Sequence, residues 1–166
     1  MRHYPSIYLS GIMDDATEQE KHGWRDEVKS KWPGRCFDPT IRDFNIVTQY
    51  RKIVESDLRE IEQADVLLVN YLRSSVGTSM EIVIAHKLGK PVVIIWNPKV
   101  ISTISPWCRY FASVIVPNID AALKWIGNWH RQQQRKPKPA NAHHHRLRNR
   151  SHNRSRPPQW LGVAGK

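Results

Sequence analysis

The sequence predicts an α/β protein in which a five-stranded parallel sheet is covered by helices on both faces. Short apolar runs alternate with longer amphipathic segments along roughly the first 130 residues, and turn residues such as Gly11, Pro33-Gly34 and Gly89 separate them. Strands that alternate with helices imply right-handed crossovers and a parallel sheet. We therefore expect a Rossmann-like sheet in the flavodoxin-like order, followed by a disordered basic tail.

Each element of this fold has a local signal. The first strand is predicted at Ile7 to Leu9, and Thr17 with Glu20 forms a capping-box pattern that begins a helix ending near Trp32. Apolar periodicity predicts a second helix at about 47–63. The remaining strands are predicted at Arg35–Phe37, Asp65–Asn70, Pro91–Trp96 and Ser113–Val116, and the remaining helices at Ser79–Leu88 and from Asn118 or Asp120 to Trp129. An exposed loop from Asp38 to Phe44 is expected to select the ligand.

The net charge of +11 belongs to the C-terminal end of the chain. From Arg131 onward there are ten Lys or Arg residues and no Asp or Glu, so residues 1–130 carry 16 basic and 15 acidic side chains. We divide the chain into a catalytic domain at 1–130 and a basic, His-rich tail at 131–166, which has too few apolar residues to order itself. Weak, salt-dependent contact with a polyanion is a further role open to this tail.

Cysteine content and hydropathy indicate the compartment. Cys36 and Cys108 have no CxxC spacing, so neither a disulfide framework nor a zinc site is predicted. The adjacent histidines 143–145 lack Cys or carboxylate partners, so no metal site is predicted there either. No stretch reaches about 18 apolar residues, and the N-terminus leads directly into a short apolar run. We expect a cytoplasmic protein with no membrane segment.

Asp57 is the first candidate catalytic residue. It lies four residues from both Ile53 and Ile61, on the apolar face of the second predicted helix, where a charge is costly unless it is paired or protonated. A carboxyl held protonated at such a position can act as a general acid. The structural alternative is an ion pair with Arg51 or Arg73.

Glu81 is the second candidate, just after the turn at Gly77. Thr78 and Glu81 match a capping box, in which the glutamate does no more than satisfy a backbone donor. The same helix N-terminus would keep Glu81 ionised, as a carboxylate nucleophile requires, and Gly77 would let a ligand approach the backbone. Asp57 and Glu81 would then form a pair with distinct acid and nucleophile roles.

Hydroxyl groups surround this pair in the sequence. Tyr8 either packs in the core or reaches the site and orients a carboxylate. The segment 74–79 offers several hydroxyls at a helix N-terminus, which suits a phosphate, although serine-rich turns are common. No Lys follows Gly77 as in a Walker loop, and Ser10-Gly11 lacks the later glycines of a dinucleotide fingerprint.

Three separated motifs together resemble the nucleoside 2-deoxyribosyltransferase family: Ile7–Gly11, then Asp57-Leu58 with Gln63–Val66, then Gly77–Ile82 ahead of Gly89–Val92. The likeness covers residues 5 to about 127, with the motifs in the family's order and spacing. It implies a flavodoxin-like fold, cleavage of the N-glycosidic bond of nucleosides or nucleotides, and no metal or organic cofactor. By the same resemblance Glu81 attacks the anomeric carbon, Asp57 handles the proton of the departing base, and Tyr8 positions Glu81.

One departure from the family pattern favours a branch. Transferases acting on free nucleosides usually carry Asp six residues before the nucleophile, where this sequence has Ser75, which can donate to a phosphate that a carboxylate would repel. In this it looks like the 2′-deoxynucleoside 5′-monophosphate N-glycosidases and related pyrimidine-nucleotide hydrolases. That branch takes a further serine from a neighbouring subunit, for which Ser105 is the nearest match, with Arg109 as a possible added charge. The resemblance thus implies a homodimer or larger homo-oligomer with shared sites.

The sequence leads to one main hypothesis and two alternatives. The main hypothesis is cleavage of a nucleoside 5′-monophosphate, with ribose or deoxyribose, through a covalent glycosyl-Glu81 intermediate that releases free base and sugar phosphate. The alternatives are a deoxyribosyltransferase that exchanges bases between nucleosides, and a non-catalytic nucleotide-binding module in which Glu81 only caps a helix. The predicted substrate-binding residues are Ser10, Gly11, Ser75, Gly77, Thr78, Ser79 and Ser105.

Overall fold

The computed structural model describes residues 4–99 and 103–135. The strands are β1 (Ile7–Gly11), β2 (Cys36–Phe37), β3 (Val66–Asn70), β4 (Val92–Ile95) and β5 (Val114–Val116). The helices are α1 (Trp24–Lys31), α2 (Tyr50–Gln63), α3 (Val76–Lys87), α4 (Pro106–Phe111) and α5 (Ile119–Arg135). A π-helical turn (Gln19–Gly23) leads into α1, and a 3₁₀ turn (Pro39–Ile41) follows β2. Each helix in the two described ranges is too short or too polar to span a bilayer.

The five strands form one parallel sheet in the order β2-β1-β3-β4-β5. Tyr8 of β1 is in register with Phe37 of β2 on one side and with Leu67 of β3 on the other. This order confirms the flavodoxin-like prediction. In such sheets the ligand crevice opens beyond the carboxyl ends of the strands where the order reverses, which in this chain is between β1 and β3.

Two apolar layers cover the sheet, as expected for a parallel sheet buried on both faces. On one face the strand residues pack against Ile61 of α2 and Ile82 of α3. On the other face they pack against Val28 of α1 and Ile126 of α5. Since β1 lies near the middle of the sheet, its side chains alternate between these layers, and Tyr8 faces the α2 and α3 layer.

The start of α3 differs from the prediction. The helix begins at Val76 rather than Ser79, because Ser75 is its N-cap and accepts a hydrogen bond from the backbone N–H of Thr78 at 3.4 Å. The predicted capping box of Thr78 and Glu81 is therefore wrong. Glu81 lies in the second turn of α3, where no free backbone donor needs its carboxylate.

Three other helices also differ from the sequence prediction in their bounds. The second helix begins at Tyr50, after a turn in which the Asn45 side chain accepts from two backbone N–H groups. The short helix α4, with Pro106 in its first turn, lies in a segment predicted as a loop. The last helix continues to Arg135 instead of ending near Trp129. The predicted disorder of the tail falls, from residue 136 onward, outside the described residues.

Candidate active site

A cavity of about 250 Å³ opens at the carboxyl ends of β1 and β3. It lies at the point where the sheet topology places a ligand. Its walls come from the loop after β1, the loop after β2, helix α2 and the first turns of α3. The residues that line it are Gly11, Met13, Asp14, Pro39, Arg42, Phe44, Ile46, Ile53, Asp57, Ser75, Gly77, Thr78 and Glu81.

One phenol hydroxyl joins the two predicted carboxylates. Tyr8 Oη lies 2.9 Å from Asp57 Oδ1 and 3.0 Å from Glu81 Oε1. The ring of Tyr8 belongs to the buried core, so both sequence interpretations of this residue hold: its ring packs and its hydroxyl reaches the site. Burial, followed by the charges of Glu81 and Asp57, raises the pKa of Tyr8 far above its ordinary value, so the hydroxyl keeps its proton.

Two side chains of β1 hold the carboxyl group of Glu81. Its Oε2 accepts a hydrogen bond from Ser10 Oγ at 2.5 Å, while its Oε1 contacts Tyr8. Ser10 and Tyr8 are two residues apart on one strand, so their side chains point to the same face of the sheet. Hydrogen bonds thus hold both carboxylate oxygens in place, and a ligand can reach the carboxyl group from the cavity.

The charge state of Glu81 differs from the prediction. Burial raises its pKa from 4.5 to about 7, and the charge of Asp57 adds to this effect, while the hydrogen bonds from Ser10 and Tyr8 and the charge of Arg25 oppose it. The position in the second turn of α3 removes the close N-terminal contact that was expected to keep Glu81 ionised. Near neutral pH Glu81 is therefore protonated in a large fraction of unliganded molecules.

Asp57 has a cationic partner that the sequence did not reveal. Arg42 Nη2 contacts Asp57 Oδ1, whereas Arg73, one of the partners suggested from sequence, pairs instead with Glu20. Burial opposes the charge of Arg42, but the contact with Asp57 raises its pKa, so the pair is an ion pair. Asp57 does face the packed side of α2, as its periodicity predicted.

Arg42 also lies close to a second acidic side chain. Its Nη2 lies 3.8 Å from Glu60 Oε2, and Glu60 is half-buried, so that burial raises its pKa. Arg42 Nη1 is buried and has no hydrogen-bond partner among the described residues. A buried guanidinium nitrogen without a partner is costly, which makes Arg42 a candidate ligand contact.

The N-terminus of α3 also lines the cavity. Ser75, Gly77 and Thr78 line it, and no atom lies within 4 Å of the place where a Cβ of Gly77 would be. Exposed backbone N–H groups at such a terminus suit an anionic group. Ser79 and Ser105 lie elsewhere, on a neighbouring groove that Ser75 also borders.

The loops around the cavity contributed residues that the sequence interpretation left unassigned. Phe44, Ile46 and Ile53 give an apolar wall, and the exposed residue Asp14 also lines the cavity. The loop after β2 was predicted to select the ligand, and its half-buried members that line the cavity are Pro39, Arg42 and Phe44.

A buried arginine supports these loops. Arg25 of α1 is fully buried, donates to the carbonyl oxygens of Leu9, Lys21 and Gly11, and lies 3.6 Å from Asp38 Oδ1. Asp38 was expected in an exposed loop and is instead almost fully buried, because it pairs with Arg25 and accepts hydrogen bonds from Lys29 and Thr40. This cluster ties the end of β1 to the loop after β2.

Metal-ligating residue types are not gathered at the site. Within residues 4–99 and 103–135, no group of three or more His, Cys, Asp or Glu side chains is arranged to hold a metal ion. The polar groups that converge on the cavity are carboxylates, hydroxyls and one guanidinium. These groups can transfer protons, attack an electrophilic carbon and donate to an anion.

The fold of this chain is shared with solved structures. The chain is similar to a conserved protein from Enterococcus faecalis V583, with a TM-score of 0.62, 15% identity, and coverage of 76% of this chain and 99% of that one. It is also similar to a 2-deoxyribosyltransferase from the psychrotolerant bacterium Bacillus psychrosaccharolyticus, with a TM-score of 0.56, 21% identity, and coverage of 68% and 86%.

A weaker likeness, with a TM-score of 0.44 and 14% identity, is to the CMP N-glycosidase of Clostridium botulinum, over 75% of this chain and 98% of that one. No protein-family model and no curated protein sequence matches the chain. At these identities the first two structures establish the fold. The chain thus has the fold of a 2-deoxyribosyltransferase, and its activity has to be argued from its own site.

Proposed function

We propose that this protein is an N-glycosidase that cleaves a nucleoside 5′-monophosphate into free base and sugar phosphate through a covalent glycosyl-Glu81 intermediate. The observation that carries the proposal is the Tyr8 hydroxyl shared by Asp57 and Glu81 at the wall of the cavity. The sequence motifs that resemble the nucleoside 2-deoxyribosyltransferase family supply these three residues, and the site supports the same three roles.

The separation of the two carboxylates supports a covalent route. Two oxygens at 2.9 and 3.0 Å from the same hydroxyl oxygen lie at most 5.9 Å apart. Glycosidases that retain configuration through a covalent intermediate have carboxyl groups about 5–5.5 Å apart, whereas those that activate a water directly need about 6.5–9.5 Å. The space between Asp57 and Glu81 suits direct attack by one of them.

Two groups of residues that line the cavity suit the phosphate and the base of a nucleotide. The N-terminus of α3, with Ser75 and Gly77, can donate hydrogen bonds to a phosphate, and the apolar wall of Phe44 and Ile53 can pack on a base. On this proposal the anomeric carbon of the sugar would lie against Glu81. A monophosphate therefore fits this arrangement of groups.

A base-exchanging transferase is the second candidate, and Asp14, which lines the cavity, favours it. A carboxylate can accept a hydrogen bond from a free sugar hydroxyl, whereas it would repel a phosphate. The same Glu81 intermediate would then be resolved by a second base in place of water. Both reactions need the same carboxylate pair, so they differ only in substrate charge and in acceptor.

The experiment is an incubation with a panel of ribo- and deoxynucleoside 5′-monophosphates and the matching nucleosides, followed by chromatography of the products. We expect free base from at least one monophosphate, and mass spectrometry of denatured protein should find a sugar phosphate on Glu81. Glu81→Gln should abolish release, while Glu55→Gln on the exposed face of α2 should not. No release from any monophosphate would refute the proposal, and a new nucleoside formed with added free base would favour the transferase.

A non-catalytic nucleotide-binding module makes a different prediction for the same variants. In that case Glu81→Gln would leave nucleotide binding intact and there would be no turnover to lose. The position of Glu81 in the second turn of α3 weighs against the idea that it serves only as a cap.

We further propose that the protein forms a homodimer through α3 and α4. Large apolar side chains of these helices are more than half exposed (Val76, Met80, Trp107 and Tyr110), and the groove of about 560 Å³ beside them reaches Ser75 at the candidate site and carries Ser105. A second copy of the chain is the occupant we propose, because this groove is continuous with a site inferred to be shared.

Analytical ultracentrifugation should show a dimer, which Met80→Lys disrupts and Val54→Lys on α2 does not. A monomeric wild type would refute the dimer.

A further inference from the structure

The surroundings of Glu81 disfavour the charge that its proposed role requires. A nucleophilic Glu81 must be ionised, and an acidic Asp57 must carry a proton. In the structure Arg42 Nη2 already contacts Asp57 Oδ1, while burial raises the pKa of Glu81 and so favours its neutral form. Either the two carboxylates exchange roles, or a proton has to move between them.

We propose that Tyr8 conducts this proton, so that the Glu81–Tyr8–Asp57 chain carries one proton back and forth during each catalytic cycle. The inference rests on the proposed N-glycosidase function and deepens it. It gives Tyr8 a role beyond the positioning of Glu81. The proton is on Glu81 at one stage of the cycle and on Asp57 at another.

The hydrogen count at Tyr8 supports the chain. A phenol has one proton, so it can donate to one of its two carboxylate neighbours, although both are within hydrogen-bond distance at 2.9 and 3.0 Å. The second contact is favourable only if the other carboxyl is protonated and donates to Tyr8 Oη. With Asp57 paired to Arg42, the hydroxyl donates to Asp57 and the protonated Glu81 donates to the hydroxyl.

The transfer step is balanced. The Glu81 Oε1–H bond and the Tyr8 Oη–H bond break, and new bonds form from the first proton to Tyr8 Oη and from the second to Asp57 Oδ1. One negative charge moves from Asp57 to Glu81, and Tyr8 begins and ends as a neutral phenol. Because burial makes a phenolate very unfavourable, the two protons move together rather than one after the other.

The rest of the cycle restores the starting state. An electron pair of ionised Glu81 attacks the anomeric carbon, the N-glycosidic electron pair leaves with the base, and the Asp57 proton goes to that base. A water then attacks the anomeric carbon of the glycosyl ester and gives one proton to Asp57, while Glu81 departs as a carboxylate. Return of the proton through Tyr8 regenerates neutral Glu81 and ionised Asp57.

Charged and hydroxyl groups from several elements set the balance of this chain. Glu81 faces Tyr8 and Ser10 of β1 and the charge of Arg25 of α1. Asp57 faces Tyr8, Arg42 of the loop after β2, and, through Arg42, Glu60 of its own helix. A base acceptor placed against Asp57 would draw the shared proton toward Asp57.

Two substrates and two variants test the relay. One substrate is the monophosphate that the wild type cleaves best, and the other is its analogue with a p-nitrophenoxide leaving group, which departs without a proton. Tyr8→Phe removes the contact with both carboxylates, whereas the matched variant Ser10→Ala removes a hydroxyl that contacts Glu81 alone. For the natural base, kcat/KM is compared near pH 7, where Glu81 still carries the proton to be relayed, and for the nitrophenyl substrate above pH 8, where Glu81 is ionised without the relay.

We expect Tyr8→Phe to lower kcat/KM for the natural base by about 10²-fold or more, the usual size of a lost general acid. For the nitrophenyl substrate above pH 8 the loss should be under about tenfold, since neither the proton nor its transfer is then needed. Ser10→Ala should lower both rates by similar factors. Equal losses on the two substrates with Tyr8→Phe would overturn the relay and leave Tyr8 as a positioning residue only.

A titration that needs no turnover provides the second test. The carboxyl carbon of Glu81 is followed by ¹³C NMR against pH in four proteins: wild type, Tyr8→Phe, Asp57→Asn and the double variant. If the hydrogen-bonded chain couples the two acids, Asp57→Asn shifts the Glu81 titration much more in the presence of Tyr8 than in its absence. An equal shift in both backgrounds would overturn the relay. If wild-type protein released no base from any substrate, the N-glycosidase proposal would fall, and this titration would still decide whether the two acids share a proton.

Discussion

The buried carboxyl of Glu81 should make the stability of the protein fall as the pH rises. Its pKa is about 7 in the folded chain and 4.5 when exposed, so between these values the folded state binds more protons than the unfolded state. The contribution of Glu81 is then fully present below about pH 4.5, is lost as the pH rises through about 7, and stays lost above it. At about 1.4 kcal/mol per pKa unit, the loss amounts to roughly 3 kcal/mol.

Glu81→Gln isolates this effect, because glutamine has nearly the same shape and does not ionise. Urea unfolding followed by tryptophan fluorescence gives the free energy of unfolding at about pH 5 and pH 8.5. We expect the variant to gain about 3 kcal/mol relative to wild type between the two pH values. Any constant cost of the amide in the hydrogen bonds to Ser10 and Tyr8 cancels in this comparison.

The matched control is Glu55→Gln, the same substitution on the exposed face of α2, which should change stability by similar small amounts at both pH values. The reasoning would be refuted if the difference between Glu81→Gln and wild type were the same at pH 5 and pH 8.5. It would also be refuted if the variant lost stability at the higher pH, because that would mean that the folded state favours the charged form of Glu81.

Three further perturbations follow from the structure. Ser75→Asp keeps a side-chain cap on α3 and adds a charge where a phosphate is proposed, so kcat/KM for monophosphates should fall at least about tenfold in a steady-state assay while the melting temperature stays nearly constant. Gly77→Ala meets no atom within 4 Å and should raise the free energy of unfolding by about 0.5 kcal/mol in a urea titration, while calorimetry shows weaker nucleotide binding. Arg25→Met leaves buried Asp38 without its central cation and should cost about 3 kcal/mol or more by urea unfolding, against under about 0.5 for the exposed Arg59→Met.

Much of the sheet was predictable from the sequence because its signals are local. Runs such as Val66–Val69 and Val92–Ile95 are apolar throughout, which identifies strands buried on both faces. The periodicity of α2 placed Asp57 on the packed side before any contact was known. The parallel pairing followed from the alternation of strands and helices, and the count of five strands suggested the flavodoxin-like order.

The remaining differences have physical reasons that a single sequence does not contain. Ser75 and Thr78 are both good N-caps, and only the backbone conformation determines that Ser75 is the one used. Arg42 meets Asp57 because the turn after β2 folds over α2, a tertiary contact between residues with no fixed spacing. The charge of Glu81 depends on its depth in the protein, and the capping-box interpretation had placed it too close to the helix end.

If Ser75 binds the substrate phosphate as proposed, the cap of α3 limits which changes of substrate can evolve easily. The side chain of Ser75 is needed by the helix and also faces the cavity. Substitutions that preserve the helix are confined largely to Ser, Thr, Asp and Asn, and within this small set one member carries a negative charge and the others are neutral. A lineage can therefore exchange preference for a charged or an uncharged sugar by a single substitution at almost constant stability, without passing through a poorly folded intermediate.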